Sequence, residues 1–363
     1  MTVPFDLFCR VVDNLGDAGV CWRLAAQLAA MDHPVRLWID DRTALGRILP
    51  TLDPGADHQC IDGVQVLPWA QAAGALPPPG GVVIEAFACA PPAAYVAAMT
   101  GRACLWINLE YLSAENWVSG YHGLPSLQAN GVAKYFFFPG FTTGTGGLLR
   151  EPDLRARRTQ AQQCSRRQRL HALCARDFGE LADHGRLVFL FCYPGAPLAG
   201  LQEALIADGT PTLLLVPGEL PPALASRRAL QVRAIPFVPQ AQFDELLWCC
   251  DLNFVRGEDS LVRAHWAGVP LVWQIYPQAE HTHLDKLEAW MTAAAVPPAA
   301  AAAIRAWNDT QASAFASAMT AALAPAAFGH WQAQSRKWSD HLWEQTDLAR
   351  DLRGFCIQRL QKG

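Results

Sequence analysis

NFVRGEDSLVRAHWAGVPLVW, residues 253–273, decides how this chain of 363 residues folds. A strand-forming run ends at Val255, Gly257 permits a tight turn, and Glu258, Asp259 and Ser260 occupy the first turn of a helix. Gly268 and Pro270 then stop that helix and a second apolar run begins, so the stretch reads strand, loop, helix, strand. The free amide N–H groups of a helix start, with the helix dipole, favour an anion there, and Arg256 just before the turn is a positive fork suited to a diphosphate. Asp and Ser are also favoured N-caps, and acids suit a first helical turn without any ligand. The stretch alone leaves both readings open.

The alternation extends in both directions. FDLFCRVV, PVRLWID, VQVLPW, VVIEAF, CLWINLEYL and YFFFPG read as strands with helices such as VCWRLAAQLAAM between them, which predicts an N-terminal Rossmann-like domain over residues 1–150. Residues 151–180 are rich in Arg and Gln and read as an exposed linker helix, with six arginines before His171 forming a solvated face or a contact for an acidic partner. Alternation restarts at RLVFLFCYP, predicting a second Rossmann-like domain over 181–325. Residues 326–363 are predicted as closing helices that pack back on the N-terminal domain, with Trp331, Trp338 and Leu342 on one stripe and Trp343 turned partly aside. The expected class is α/β, with two facing doubly wound sheets and ligands in a cleft between their carboxyl edges.

Composition bounds the function. Apolar residues make up 51% and charged residues 17%, which suits a compact enzyme and excludes a disordered chain. A formal net charge of −4 gives no global attraction to nucleic acid or an anionic membrane. The longest apolar runs are broken by Pro and Gly, and the N-terminus has no basic n-region, so neither a membrane span nor a signal peptide is expected. The eleven cysteines are scattered, with no CxxC pair, which predicts reduced thiols in a cytoplasmic protein.

VVDNLGDAGVCWRLAAQL, residues 11–28, places Asp13 and Asp17 on the rim of a buried sheet. Such carboxylates cap a helix, bind a cation or do chemistry; Asp17 fits an N-cap for a helix at Val20, and Asp13 fits a turn residue. FCRVVDNLGDAGVCWRLA and NFVRGEDSLVRAHWAGVPLVWQIYPQ together, with the FCYP and FVPQ segments and the Trp-rich tail, resemble the bacterial protein-arginine rhamnosyltransferases that modify elongation factor P. The resemblance spans essentially the whole chain. It implies the GT-B fold of glycosyltransferases, a cytoplasmic enzyme, dTDP-β-L-rhamnose as co-substrate, and inversion at the sugar to leave α-rhamnose on one arginine of elongation factor P. It implies Asp17 as general base, Asp13 as the partner that positions the acceptor guanidinium, and Glu258 as a third acid needed for activity. Arg256, Asp259 and Ser260 are then placed around the diphosphate and sugar. Phe191, Tyr193 and Gln240 hold the thymidine and phosphates, and Tyr276 and Gln278 line the same end. A guanidinium has a pKa above about 12, so a carboxylate pair that grips its planar fork and accepts a proton suits this nucleophile.

Other features point elsewhere with less force. EHTHLD places His281, His283 and Asp285 close in sequence, but residues two apart on a helix do not share a face, so no metal site is expected. No Asp-x-Asp is present, which favours Arg256 and the helix start over a metal as the stabiliser of the leaving diphosphate. GTGG at 144–147 lacks the residues of a phosphate loop and reads as a flexible loop, and Asn108, Glu110 and Tyr111 end a strand where they can line an acceptor site. Two rival classes are a nicotinamide-dependent oxidoreductase, disfavoured because VDNLGDAG stands where a glycine fingerprint belongs, and a non-catalytic partner of the translation machinery.

Overall fold

The computed structural model describes residues 1–361 apart from 14, 75–76, 278–281 and 310–313. The chain forms two compact units, residues 1–151 with 345–363, and residues 152–344. The first unit runs β1 (Phe5–Cys9), α1 (Leu15–Ala30), β2 (Val35–Ile39), α2 (Arg42–Ile48), β3 (Gln59–Ile61), β4 (Val64–Pro68), β5 (Val82–Ala86), α3 (Ala93–Ala98), β6 (Leu105–Leu109), α4 (Val118–Tyr121), β7 (Pro125–Leu127) and β8 (Ala133–Phe137). The strands form one sheet in the order β3-β4-β2-β1-β5-β6-β8-β7. All neighbours are parallel except β3 and β7, short strands that pair antiparallel at the two edges. Both were absent from the sequence reading because three residues carry too little periodicity.

β1, β5 and β6 are buried along their whole lengths, as expected for parallel strands covered on both faces. α1 lays Cys21, Leu24, Ala25 and Leu28 on the sheet at helical spacing. The polar exception in β1, Asp6, is fully buried and accepts hydrogen bonds from Arg36, Trp38, Tyr95 and the Gly80 amide. That acid is structural, because every donor around it is already committed.

The second unit runs α5 (Leu154–Ala161), α6 (Arg166–Cys174), α7 (Leu181–His184), β9 (Arg186–Leu190), α8 (Leu198–Asp208), β10 (Thr212–Pro217), β11 (Leu230–Ile235), α9 (Gln240–Cys249), β12 (Leu252–Arg256), α10 (Asp259–Ala267), β13 (Leu271–Gln274), α11 (Thr282–Ala293), α12 (Pro298–Asn308), α13 (Phe315–Leu323) and α14 (Pro325–Trp343). Its strands form an all-parallel sheet in the order β11-β10-β9-β12-β13. The final helix, α15 (Leu348–Leu360), belongs to the first unit and packs against α1 and β6.

Three stretches differ from the sequence expectation. The Arg-rich segment belongs to the second unit, and three of its arginines are used internally: Arg157 donates to the Ala241 carbonyl, Arg158 to that of Trp266, and Arg166 to Asp251. In the tail, α14 belongs to the second unit and buries Trp331, Trp338 and Leu342 there, so only residues 345–363 return to the first. GTGG is a packed turn. Gly146 and Gly147 are buried, the Gly146 amide donates to Phe138, and a Cβ on Gly147 would overlap the Thr346 carbonyl.

Burial also sets a pH response. His265 of α10 is buried, its Nε2 accepts from the indole N–H of Trp290 at 2.9 Å, and burial pushes its pKa down to about 3. The fold therefore favours neutral histidine, while the unfolded chain takes up a proton near 6.5. Stability from this group is full above that pH and falls as pH drops from 6.5 toward 3, by about 1.4 kcal/mol per pH unit. Urea titrations across that window should show a flatter pH dependence in His265→Gln, which keeps an acceptor for Trp290 but does not titrate. An identical slope in parent and variant would show that His265 does not set it.

Candidate functional site

In both sheets the chain order reverses beside the first strand of the unit: between β1 and β5 in one, and between β9 and β12 in the other. Loops leaving neighbouring strands in opposite directions open a crevice at the carboxyl edge, where ligands of such sheets bind. The predicted site residues gather at these two places.

In the first unit, α1 begins at Leu15, five residues earlier than the helix start expected at Val20, so Asp17 lies inside the first turn. It is 3% exposed, and its Oδ2 accepts the amide N–H groups of Val12 and Asp13 at 2.8 Å each. The N-capping reading therefore holds in altered form: the carboxylate reaches back to amides that precede the helix. Its Oδ1 takes no hydrogen bond among the described residues, and no lysine or arginine among them pairs with it. Burial raises the pKa of Asp17 above the ordinary carboxylate value, the charge of Asp40 adds to this, and the two amides pull it back. The result is an ionisable, desolvated carboxylate with one oxygen held and one available, the arrangement a general base requires. Asp13 is half-buried on the same turn, beside Gly16, where a Cβ would press on its carboxylate.

The neighbouring loop after β5 is strained. Phe87, Ala88 and Ala90 have φ of 57°, 52° and 51°, a region costly for residues with a Cβ. Phe87 stacks on Tyr111 at 4.4 Å, the Ala88 amide donates to Asn108 Oδ1 at 3.1 Å, and the Asn108 amide group donates to Glu110. The candidates Asn108, Glu110 and Tyr111 thus hold this loop in place. No glycine marks it in the sequence, so Phe87 and Ala88 went unnoticed there.

In the second unit, Arg256 ends β12 beside the loop that follows β9. Its guanidinium lies 4.2 Å from the Phe191 ring centre and 4.8 Å from that of Tyr193, and donates to the Cys192 carbonyl at 3.1 Å. Among the described residues no carboxylate pairs with Arg256. A half-buried cation held over two rings, with most of its donors uncommitted, is prepared for an anion. Gly257 turns at φ 62°, and its carbonyl is held by the Trp273 indole at 2.8 Å. The Ser260 hydroxyl accepts the Arg256 amide and donates to the Arg256 carbonyl, so it closes the turn itself. Gln240 starts α9 and donates to Asp259 at 3.3 Å, and Tyr193 meets Tyr276 edge to face at 5.6 Å. Gln278 lies outside the described residues.

Several residues at this edge were missed from sequence. Lys286 of α11 forms an ion pair with Glu258 at 2.6 Å, Gln274 accepts the Tyr193 amide at 2.7 Å, and Phe237, 57% exposed, stands edge-on to Phe191. Phe237 opens the FVPQ segment, and an aromatic three residues before Gln240 was the available signal. His283 is buried in α11 while Asp285 is exposed, and His281 lies outside the described residues.

The model of the elongation factor P rhamnosyltransferase EarP family matches residues 5–357. The chain belongs to this family. It is 46% identical to the protein-arginine rhamnosyltransferase of Pseudomonas aeruginosa, over 97% of this chain and 98% of that one. It is 49% identical to the enzyme of the same name from Pseudomonas putida, over 80% and 81% of the two chains. A solved structure from work on EarP-mediated arginine glycosylation of translation elongation factor EF-P aligns at 33% identity and a TM-score of 0.63, covering 98% of this chain and 99% of that one. The calicheamicin glycosyltransferase CalG4 aligns at 13% identity with a TM-score of 0.54 over 98% of both chains, a likeness of fold. The EarP-family chain described here is therefore a glycosyltransferase of the GT-B fold. No helix among its described residues is long and apolar enough to cross a membrane.

Proposed function

We propose that this enzyme transfers L-rhamnose from dTDP-β-L-rhamnose to an arginine side chain of elongation factor P, in a single inverting displacement that needs no metal. Membership of the EarP family supports the sugar and the acceptor protein. The observation that carries the donor assignment is the guanidinium of Arg256 beside the start of α10, paired with no carboxylate among the described residues and lying over Phe191 and Tyr193, which Phe237 and Tyr276 in turn contact. In this reading the rings take the thymine, and Arg256 with the amides of the turn takes the diphosphate and stabilises it as it leaves. Asp17 accepts the proton as the C–N bond forms, and Asp13 orients the guanidinium. Glu258, fixed by Lys286, orients the sugar end of the donor. The reading includes a cytoplasmic location, in keeping with eleven free thiols.

Mass spectrometry of elongation factor P, after incubation with enzyme and dTDP-β-L-rhamnose in the presence of EDTA, should find one deoxyhexose on one arginine. Modification that requires added metal would refute the metal-free mechanism. Thermal unfolding separates the rival oxidoreductase reading: dTDP should raise the midpoint and NAD should not. Arg256→Ala should abolish most of the dTDP effect and raise donor KM by roughly tenfold or more, the scale of losing charge-assisted hydrogen bonds. Unaltered donor affinity would make Arg256 a packing residue only.

A further inference from the structure

β1 and β2 are parallel neighbours in register from Phe5 with Val35 to Cys9 with Ile39, so their chains leave the carboxyl edge side by side. Asp40 is the first residue past β2, and its Oδ1 accepts the Val11 amide at 2.9 Å and the Asp41 amide at 2.8 Å. The next two amides of the same loop, Val12 and Asp13, end on Asp17 Oδ2. Three successive N–H groups of the acid-bearing loop are thus held by two carboxylates, one from each flanking segment. The bond from Val11 spans 29 residues of sequence, so it is not a local turn motif.

We propose that Asp40 is a positioning residue for rhamnosyl transfer: its carboxylate pins the loop at Val11 while its charge acts on the carboxylate of Asp17. The inference rests on the reading of Asp17 as general base. The titratable groups facing Asp17 are Asp13 on its own turn, Asp40 from the end of β2, and the thiols of Cys9 in β1 and Cys21 in α1. The hydrogen bond with Cys21 and burial push the Cys9 thiol up, and burial pushes Cys21 up although its bond with Cys9 pulls it back, so both stay neutral and Asp40 supplies charge from outside the loop. Its repulsion favours proton uptake by Asp17, which strengthens it as a base.

Asp40→Asn keeps an oxygen for the Val11 and Asp41 amides and removes only the charge. In the parent, activity rises with pH as Asp17 loses its proton. The acid limb of kcat/KM for elongation factor P should therefore move to lower pH in Asp40→Asn, and the displacement should shrink at high salt, because Asp40 is exposed and its charge is screened. Asp40→Ala also removes the bond to Val11 and should lower the plateau kcat by about tenfold with donor KM unchanged, as expected for a mispositioned base. Acid limbs of parent and Asp40→Asn that coincide at low salt would overturn the inference. Asp17→Asn, measured alongside, separates the two failures. If it is inactive while the Asp40→Asn limb does not move, only the role of Asp40 falls; if it keeps parental turnover, the base assignment falls and the inference with it.

Discussion

Asp17→Asn is expected to lower kcat by about 10²–10⁴-fold while leaving dTDP affinity at the parental value, the scale of a lost general base. The substitution isolates chemistry from structure. Asparagine retains an oxygen that accepts the Val12 and Asp13 amides, so the turn before α1 keeps both bonds made by Asp17 Oδ2. Only the charge and the proton-accepting oxygen are lost. A guanidinium nucleophile is protonated near neutrality, so transfer without a base leaves its lone pair delocalised and unavailable. Donor binding should be indifferent, because the residues assigned to the donor belong to the other unit. Single-turnover kinetics, with calorimetric titration of dTDP, separate the two effects. Parental turnover in the variant would reduce Asp17 to the backbone-holding role its hydrogen bonds already give it.

Arg263→Met should cost about 3–5 kcal/mol of unfolding free energy in the second unit, the usual penalty for stranding one partner of a buried ion pair. Arg263 and Asp244 are both fully buried and meet through two parallel hydrogen bonds of 2.6 and 2.7 Å. The pair joins α10, whose start adjoins Arg256, to α9, whose first residue is Gln240. Removing the cation leaves a desolvated carboxylate, with Arg157 4.0 Å away from it. Urea titration followed by the fluorescence of the buried Trp266, Trp273 and Trp290 reports on this unit. The double variant Arg263→Met with Asp244→Leu should recover most of the loss, because no fully buried charge is then left unpaired and Arg157, which also meets Asp244, is partly exposed. A single variant within about 0.5 kcal/mol of the parent, the range of surface substitutions, would show that the pair contributes little.

Much of the architecture was legible. Alternating apolar strands and amphipathic helices placed the long parallel strands of both sheets, since a fully buried strand and a one-sided helix differ in period within a few residues. The short antiparallel edges β3 and β7 were not, and neither was the helix start at Leu15, because Gly16 and Asp17 read as a loop. The Arg-rich segment was misjudged for a different reason: an arginine facing solvent and one donating to a buried carbonyl, as Arg158 does to Trp266, are the same letter in the sequence.

By itself the sequence determined the α/β class, the two carboxyl-edge loops and the residue types in them, because each motif is written within some twenty consecutive residues. Only the tertiary structure decided which side chains are committed and which remain available. Glu258 is neutralised by Lys286 across 28 residues, Arg256 is anchored by Cys192 across 64 and has no carboxylate partner among the described residues, and Val11 is held by Asp40 across 29. Those distances close through strand order and register. Pairing between strands is set by the whole sheet, whereas periodicity speaks only for the segment that carries it.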